Sequence, residues 1–270
     1  MASFNPWMFG GYTAGAPFSG QRQNWKQGED FLQNIFHFPS FRDLPHENDL
    51  NEGYWQCDQS GVYVPACTWF FMAEITNDEC SQNAFLRNQI RVTDRAGQRD
   101  IPIYFYPEGG LFDFKLLKKG STILVANGQK HYFLDLSIVL RIEELDTVSV
   151  APCSMAQLLT LSRTYHANKD NKCWLCGKRG ESSKESSQMT EAHSSSGAGI
   201  NAEDLKKCGA CRVARYCSKE CQAKHWKEGG HKRTCKAMPV FTKLTKINYS
   251  IYDDTAFLGP AHFIPGLSRK

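Results

Sequence analysis

The 270-residue chain is 41% hydrophobic and carries a formal net charge of +4, which allows a packed core and singles out no polyanionic partner. No window approaches the roughly 18 consecutive apolar residues of a membrane span. The N-terminal stretch MASFNPWMFGGYTAGAPFSG lacks the basic and apolar regions of a secretory signal.

Residues 1–50 are rich in Gly, Phe, Asn, Gln and Pro without a sustained period. They are expected to be largely disordered, with one short helix over 25–40 stopped by Pro39. Residues 51–165 read as a β domain. The first strand candidate is the run Thr68 to Ile75; the next alternates through Ile90 and Val92. A turn at Arg95-Ala96-Gly97-Gln98 leads to a strand alternating through Ile101, Ile103 and Phe105, which Pro102 should confine to an edge or a bulge. A short helix-like piece, GLFDFKLLKKG, ends at Gly120. The run STILVA precedes Asn127-Gly128, a strong two-residue turn signal, and YFLDLSIVLRIEEL supplies a last strand extended by Val148 and Val150. Three strands, a short helix and two strands resemble the order of the OB-fold, a small Greek-key barrel. The fold class expected is therefore a mainly β N-terminal domain, an OB-like barrel, followed by a small irregular and α zinc-binding module. Barrels of that kind bind single strands on one face, which makes Trp69, Tyr104, Tyr106 and Tyr132 candidate stacking residues, with core packing the preferred reading.

Seven of the eleven cysteines fall between Cys173 and Cys235. In pairs separated by two residues, and without an export signal, they point to metal rather than disulfides. The ligand pattern is Cys173-x2-Cys176, a gap of 31 residues, Cys208-x2-Cys211, x5, Cys217-x3-Cys221, x9, His231-x3-Cys235. Two intervening residues let one turn aim both sulfurs at a tetrahedral ion. Three place the ligands one helical turn apart. Eight ligands make two complete tetrahedra, and closed four-ligand sites are structural rather than catalytic. Gly177 and Gly209 sit where such turns often need positive φ. His225, four positions after Cys221, is the rival to His231. Cys57, Cys67, Cys80 and Cys153 lack the x2 spacing and read as buried thiols.

The stretch CGACRVARYCSKECQAKHWKEGGHKRTC resembles a MYND zinc finger, through Tyr216-Cys217-Ser218, Cys221-Gln222, Trp226 and His231-Lys232 with Cys235. The resemblance implies two cross-braced zinc ions, one held by Cys173, Cys176, Cys217 and Cys221 and the other by Cys208, Cys211, His231 and Cys235. Residues 166–238 form this module, with a Ser-rich insert at 178–206 expected to be disordered and a tail at 239–270 with apolar spots at Phe241, Leu244, Phe257 and Phe263. Four residues separate Trp226 from His231, where two is usual for the family, and the flexible pair Gly229-Gly230 is expected to absorb the difference.

The resemblance also implies a protein partner. MYND-like modules bind short proline-rich segments of the P-x-L-x-P type in a shallow groove, lined here by Gln222 and Trp226. The module holds ten Lys/Arg against two Glu over residues 206–236. Those cations offset the thiolates on one reading and bind nucleic acid on another, so a nucleic-acid-associated regulator is the alternative function. No SET-like motif, G-x-S-x-G or P-loop is found, so no enzyme is expected. Reduced thiols suit an intracellular compartment, nucleus or cytoplasm.

Overall fold

The computed structural model describes residues 30–78, 88–106, 112–180 and 205–252. Its centre is a seven-stranded sheet. A three-residue hairpin pair, β1 (Trp55–Cys57) and β2 (Tyr63–Pro65), lies outside it. The sheet contains β3 (Phe70–Asn77), β4 (Gln89–Asp94), β5 (Ile101–Phe105), β6 (Thr122–Ala126), β7 (Lys130–Tyr132), β8 (Ile138–Ile142) and β9 (Val148–Ala151). Their spatial order is β7-β8-β5-β4-β3-β6-β9, antiparallel throughout except for β5 against β8.

β3 and β6 are apolar without alternation because both sheet faces are covered there, whereas β4 and β5 bury alternate residues. Phe70 and Met72 of β3, with Leu124 of β6, point into one core. Phe71, Ala73 and Ile75, with Ile123 and Val125, point into the other. The first core is closed by α1 (Met155–Asn168) and α4 (Met238–Leu244), through Leu158, Leu161, Phe241 and Leu244. It continues into Cys173, Trp174, Cys208, Tyr216 and Cys235, so the Cys/His region and one face of the sheet share a single apolar cluster. The N-terminal segment joins the same cluster. Phe31 stacks on Phe241 and on Tyr249, each with centroids 5.7 Å apart.

Several expectations change. The barrel is not closed. Over residues 122–125, β6 gives one edge to β3 and the other to β9, so the edge on which a closing strand would pair is taken. β9, expected as an extension of the last strand, is separated from β8 by a 3-10 turn at Leu145–Thr147. The preceding run is itself divided, into β7 and β8, at a turn where Leu136 has φ 67°. β5 is an interior strand; Pro102 is tolerated because the β8 ladder begins only at Ile103. The helix-like piece is a 3-10 turn, Phe114–Leu116, and Gly120 has φ 79° as a terminator should. Asn127-Gly128 does not join a hairpin. It docks on Trp69, whose Nε1–H donates to the Gly128 carbonyl at 2.9 Å.

In place of a helix over 25–40, the described residues form a 3-10 turn at Phe31–Gln33 followed by further turns. Among the stacking candidates, Trp69 is core, Tyr104 and Tyr106 are half-buried, and Tyr132 is exposed against His46. Cys67 and Cys153 are buried as expected, whereas Cys57 is exposed on β1. Cys80, Phe257, Phe263, residues 1–29 and residues 181–204 of the insert lie outside the described residues. Among the described residues no helix is long and apolar enough to cross a membrane.

Candidate metal centre

The two Cys-x-x-Cys segments fold into matching turns. In the first, the Cys173 N–H donates to the Lys178 carbonyl at 2.8 Å and the Gly177 N–H to the Cys173 carbonyl at 2.9 Å. In the second, Cys208 donates to Ala214 and Arg212 to Cys208, both at 2.8 Å. Gly177 supplies the left-handed residue of the first turn, φ 73°. In the second that residue is Arg212, φ 57°, and Gly209 does not take a positive φ. The Trp174 N–H donates to the Arg215 carbonyl at 2.9 Å and ties one turn to the ribbon of β10 (Lys206–Lys207) and β11 (Arg215–Tyr216).

Cys217 follows β11 ahead of the next helix rather than one turn from Cys221 within it; Cys221 lies in α2 (Lys219–Lys227), His231 in α3 (His231–Thr234), and Cys235 caps the end of α3. α2 starts at Ser218, whose Oγ accepts from the Cys221 N–H at 3.2 Å. α3 starts at Gly230 with φ 82°. The resulting clusters are Cys173, Cys176, Cys217 and Cys221, and Cys208, Cys211, His231 and Cys235, with the ligand atoms of each within 4.8 Å of one another. The Sγ atoms of Cys176 and Cys217, and of Cys217 and Cys221, are 3.5 Å apart, and Cys211 Sγ is 3.7 Å from His231 Nε2. A tetrahedron with Zn–S bonds of about 2.3 Å has edges of roughly 3.8 Å. Both clusters therefore fit zinc, and the fit fills four positions at each ion.

The electrostatics also call for cations. At Cys173 burial opposes a thiolate, but the N–H groups of Cys176, Cys217 and Leu175 donate to its sulfur and hold the thiol down to about 6. At Cys208 burial is likewise outweighed by the N–H groups of Cys211 and Ala210. Cys217 and Cys235 go the other way, to about 12: burial raises both, and then their sulfur neighbours do. Each cluster thus sets one thiol lowered by backbone N–H groups beside others that are raised. All four positions become donors together only around a positive ion. His231 is brought down to about 4 by burial and then by His225, so its imidazole is neutral and has a lone pair to give.

His225 is outside both clusters. Its Nδ1 lies 2.9 Å from the Tyr216 hydroxyl. Burial and then the nearby thiols push Tyr216 well above its ordinary value, so that hydroxyl stays protonated in its hydrogen bond with Nδ1. His225 thereby braces the module from behind, its ring stacked 5.3 Å from that of His231. Trp174 and Tyr216 are the module's large core residues, while Trp226 is 36% exposed. Gln222 is half-buried, one turn before Trp226 on α2. Trp226 lines a groove between the module, α1 and the loop before β6; Gln222 does not reach its wall. The sheet-side wall, which includes Lys118, Lys119 and Pro152, left no sequence signal because it lies far from the module along the chain.

Residues 173–235 match the family model of the MYND finger. Histone-lysine N-methyltransferase SMYD3 of Homo sapiens is 49% identical over 39 residues, which is 14% of this chain and 9% of that protein. SET domain-containing protein 14 of Caenorhabditis elegans is 38% identical over 77 residues, 25% of this chain and 17% of that protein. The chain thus covers less than a fifth of either relative. No solved structure matches significantly. Residues 173–235 form a MYND finger, a zinc-dependent protein-interaction module whose two Cys/His clusters fit two zinc ions.

Proposed function

We propose that the protein is an intracellular adaptor, nuclear or cytoplasmic, whose finger captures a proline-containing segment of the P-x-L-x-P type at Gln222 and Trp226. The observation that carries this reading is the exposed indole of Trp226 on a helix that holds Cys221 near its start and is followed by His231 at the start of α3. A large apolar ring held rigid and half open to solvent is a ready platform for a proline ring, because little side-chain entropy is lost on contact. Tyr216 and Trp174 fill the module's interior, while the indole of Trp226 packs edge-on to His231, centroids 5.8 Å apart, and keeps 36% of its surface open. Both clusters use four protein donors and leave no coordination position for a reacting water, which favours a binding role over a catalytic one. The relatives named for methyltransferase activity or a SET domain resemble this chain through the finger region only, and their chemistry is not carried over.

Titrating the zinc-loaded protein with a P-x-L-x-P peptide, while following Trp fluorescence and heat, tests the reading. Saturable binding that Trp226→Ala weakens at least tenfold is expected, since truncating an aromatic hot spot costs about 2 kcal/mol or more. Equal binding by wild type and Trp226→Ala, with two zinc ions in each, would sink it.

A further inference from the structure

We infer that the captured segment lies in the cleft between the finger and the sheet, and that it carries acidic residues beside its proline core. This rests on the reading of Trp226 given above, with Gln222 outside the cleft, and specifies the partner's chemistry. The groove that Trp226 lines has a volume of about 1290 Å³, above the roughly 300–1,000 Å³ of a small-molecule pocket and suited to a stretch of polypeptide. Its exposed apolar lining is Pro152 on the sheet-side wall and the indole of Trp226 opposite, with Thr160 and Thr164 of α1 between them and the buried Leu161 and Trp174 behind. Its rim is cationic, formed by Lys118, Lys119, Lys227, Lys232, Arg233 and Lys236. Glu228 is the one acid on it. Among the described residues none of the six cations is in an ion pair.

Offsetting the zinc thiolates accounts for basic residues within the finger, but not for Lys118 and Lys119. These two stand on the far wall, in the loop before β6, and are exposed. Two walls of the same sign facing across the cleft repel each other unless something negative lies between them. A peptide with a proline-containing apolar centre and Asp or Glu on its flanks satisfies both features, with the centre against Trp226 and the flanks on the rim. A nucleic acid strand satisfies the charge alone. It leaves Pro152 unmatched, and a single exposed indole makes no stacking series.

The test uses the zinc-loaded full chain and anisotropy of labelled probes: a P-x-L-x-P peptide with Ser flanks, the same peptide with Glu flanks, and single-stranded DNA of matching length. The Glu-flanked peptide should bind roughly tenfold tighter at low salt, with the advantage shrinking as salt rises. The paired change Lys118→Glu with Lys119→Glu should abolish that advantage and leave the Ser-flanked peptide unaffected. Circular dichroism and zinc content would confirm that the exposed substitutions leave the fold intact. Equal affinity for the two peptides, or an advantage that survives the paired reversal, overturns the acidic-segment inference and leaves the Trp226 reading standing. DNA that displaces the Glu-flanked peptide assigns the rim to phosphate and also overturns it. Failure of both peptides to bind removes the proline reading and this inference together.

Discussion

Gly229 lies so close to His225 that a Cβ at that position would be 2.2 Å from the ring carbon Cδ2 and 3.0 Å from the His225 Cα. Gly230 beside it holds φ 82°. The pair therefore serves close packing and a left-handed start to α3, not the flexibility expected for it. Gly229→Ala should displace the imidazole from the Tyr216 hydroxyl and destabilise the finger by about 1–3 kcal/mol, read as a lower urea midpoint. The two histidines separate cleanly in a metal assay. His231→Ala should leave one zinc ion per chain by elemental analysis, while His225→Ala should keep two and lose stability only. The reverse pattern would overturn the ligand set. The ligands themselves were legible because tetrahedral coordination acts through local spacing, which a sequence displays. The left-handed Arg212 was not legible, since any residue can be forced into that geometry when the ion and the neighbouring carbonyls fix the turn.

At the scale of elements, α1 is the main one the sequence reading passed over. Its signal was present: Ser154 and Gln157 form a reciprocal capping box, and Glu74 of β3 accepts from the Met155 N–H at 3.0 Å. Its interior is rich in Ser and Thr and buries only Leu158, Leu161 and Ser162, so the apolar stripe is too thin to stand out. Ser154→Ala should cost about 1 kcal/mol in chemical denaturation. α4 was foreseen only as apolar spots in a tail. Phe241 is fully buried, stacked on Phe31 and edge-on to Tyr165, so it holds the N-terminal segment, α1 and the finger together. Phe241→Ala should cost about 3–5 kcal/mol, and a cost under about 1 kcal/mol would show that the shared core is not under common tension. Strand positions were largely readable from apolar runs, but the partners were not. β9 pairs with β6 because a 3-10 turn redirects the chain after β8, and nothing local in Val148 or Val150 announces that.

Over the whole molecule, finger and sheet stand on one core, so protonation that loosens one loosens the other. His37 shows this most directly. It is buried between Phe36 and Tyr249, its Nδ1–H donates to the Thr68 carbonyl at 2.8 Å, and its own carbonyl accepts from the Phe70 N–H at 2.8 Å. Burial lowers its pKa from the ordinary 6.5, and the bond to Thr68 only partly opposes that. The folded chain therefore keeps His37 neutral, whereas the unfolded chain takes up a proton as pH falls through 6.5. Below that pH the unfolded state binds more protons, so His37's contribution to stability is complete above 6.5 and is lost as pH drops toward its folded value. Zinc thiolates add a slope of the same sign, since protons compete with the metal for sulfur. His37→Gln removes the one slope and keeps the other, because glutamine can donate to Thr68 but gains no proton. Urea midpoints of the two proteins, both zinc-loaded, should differ by a constant at pH 7 and above. Below that, wild type should lose stability faster than His37→Gln, and parallel curves down to pH 5 would mean that the imidazole is charged inside the core.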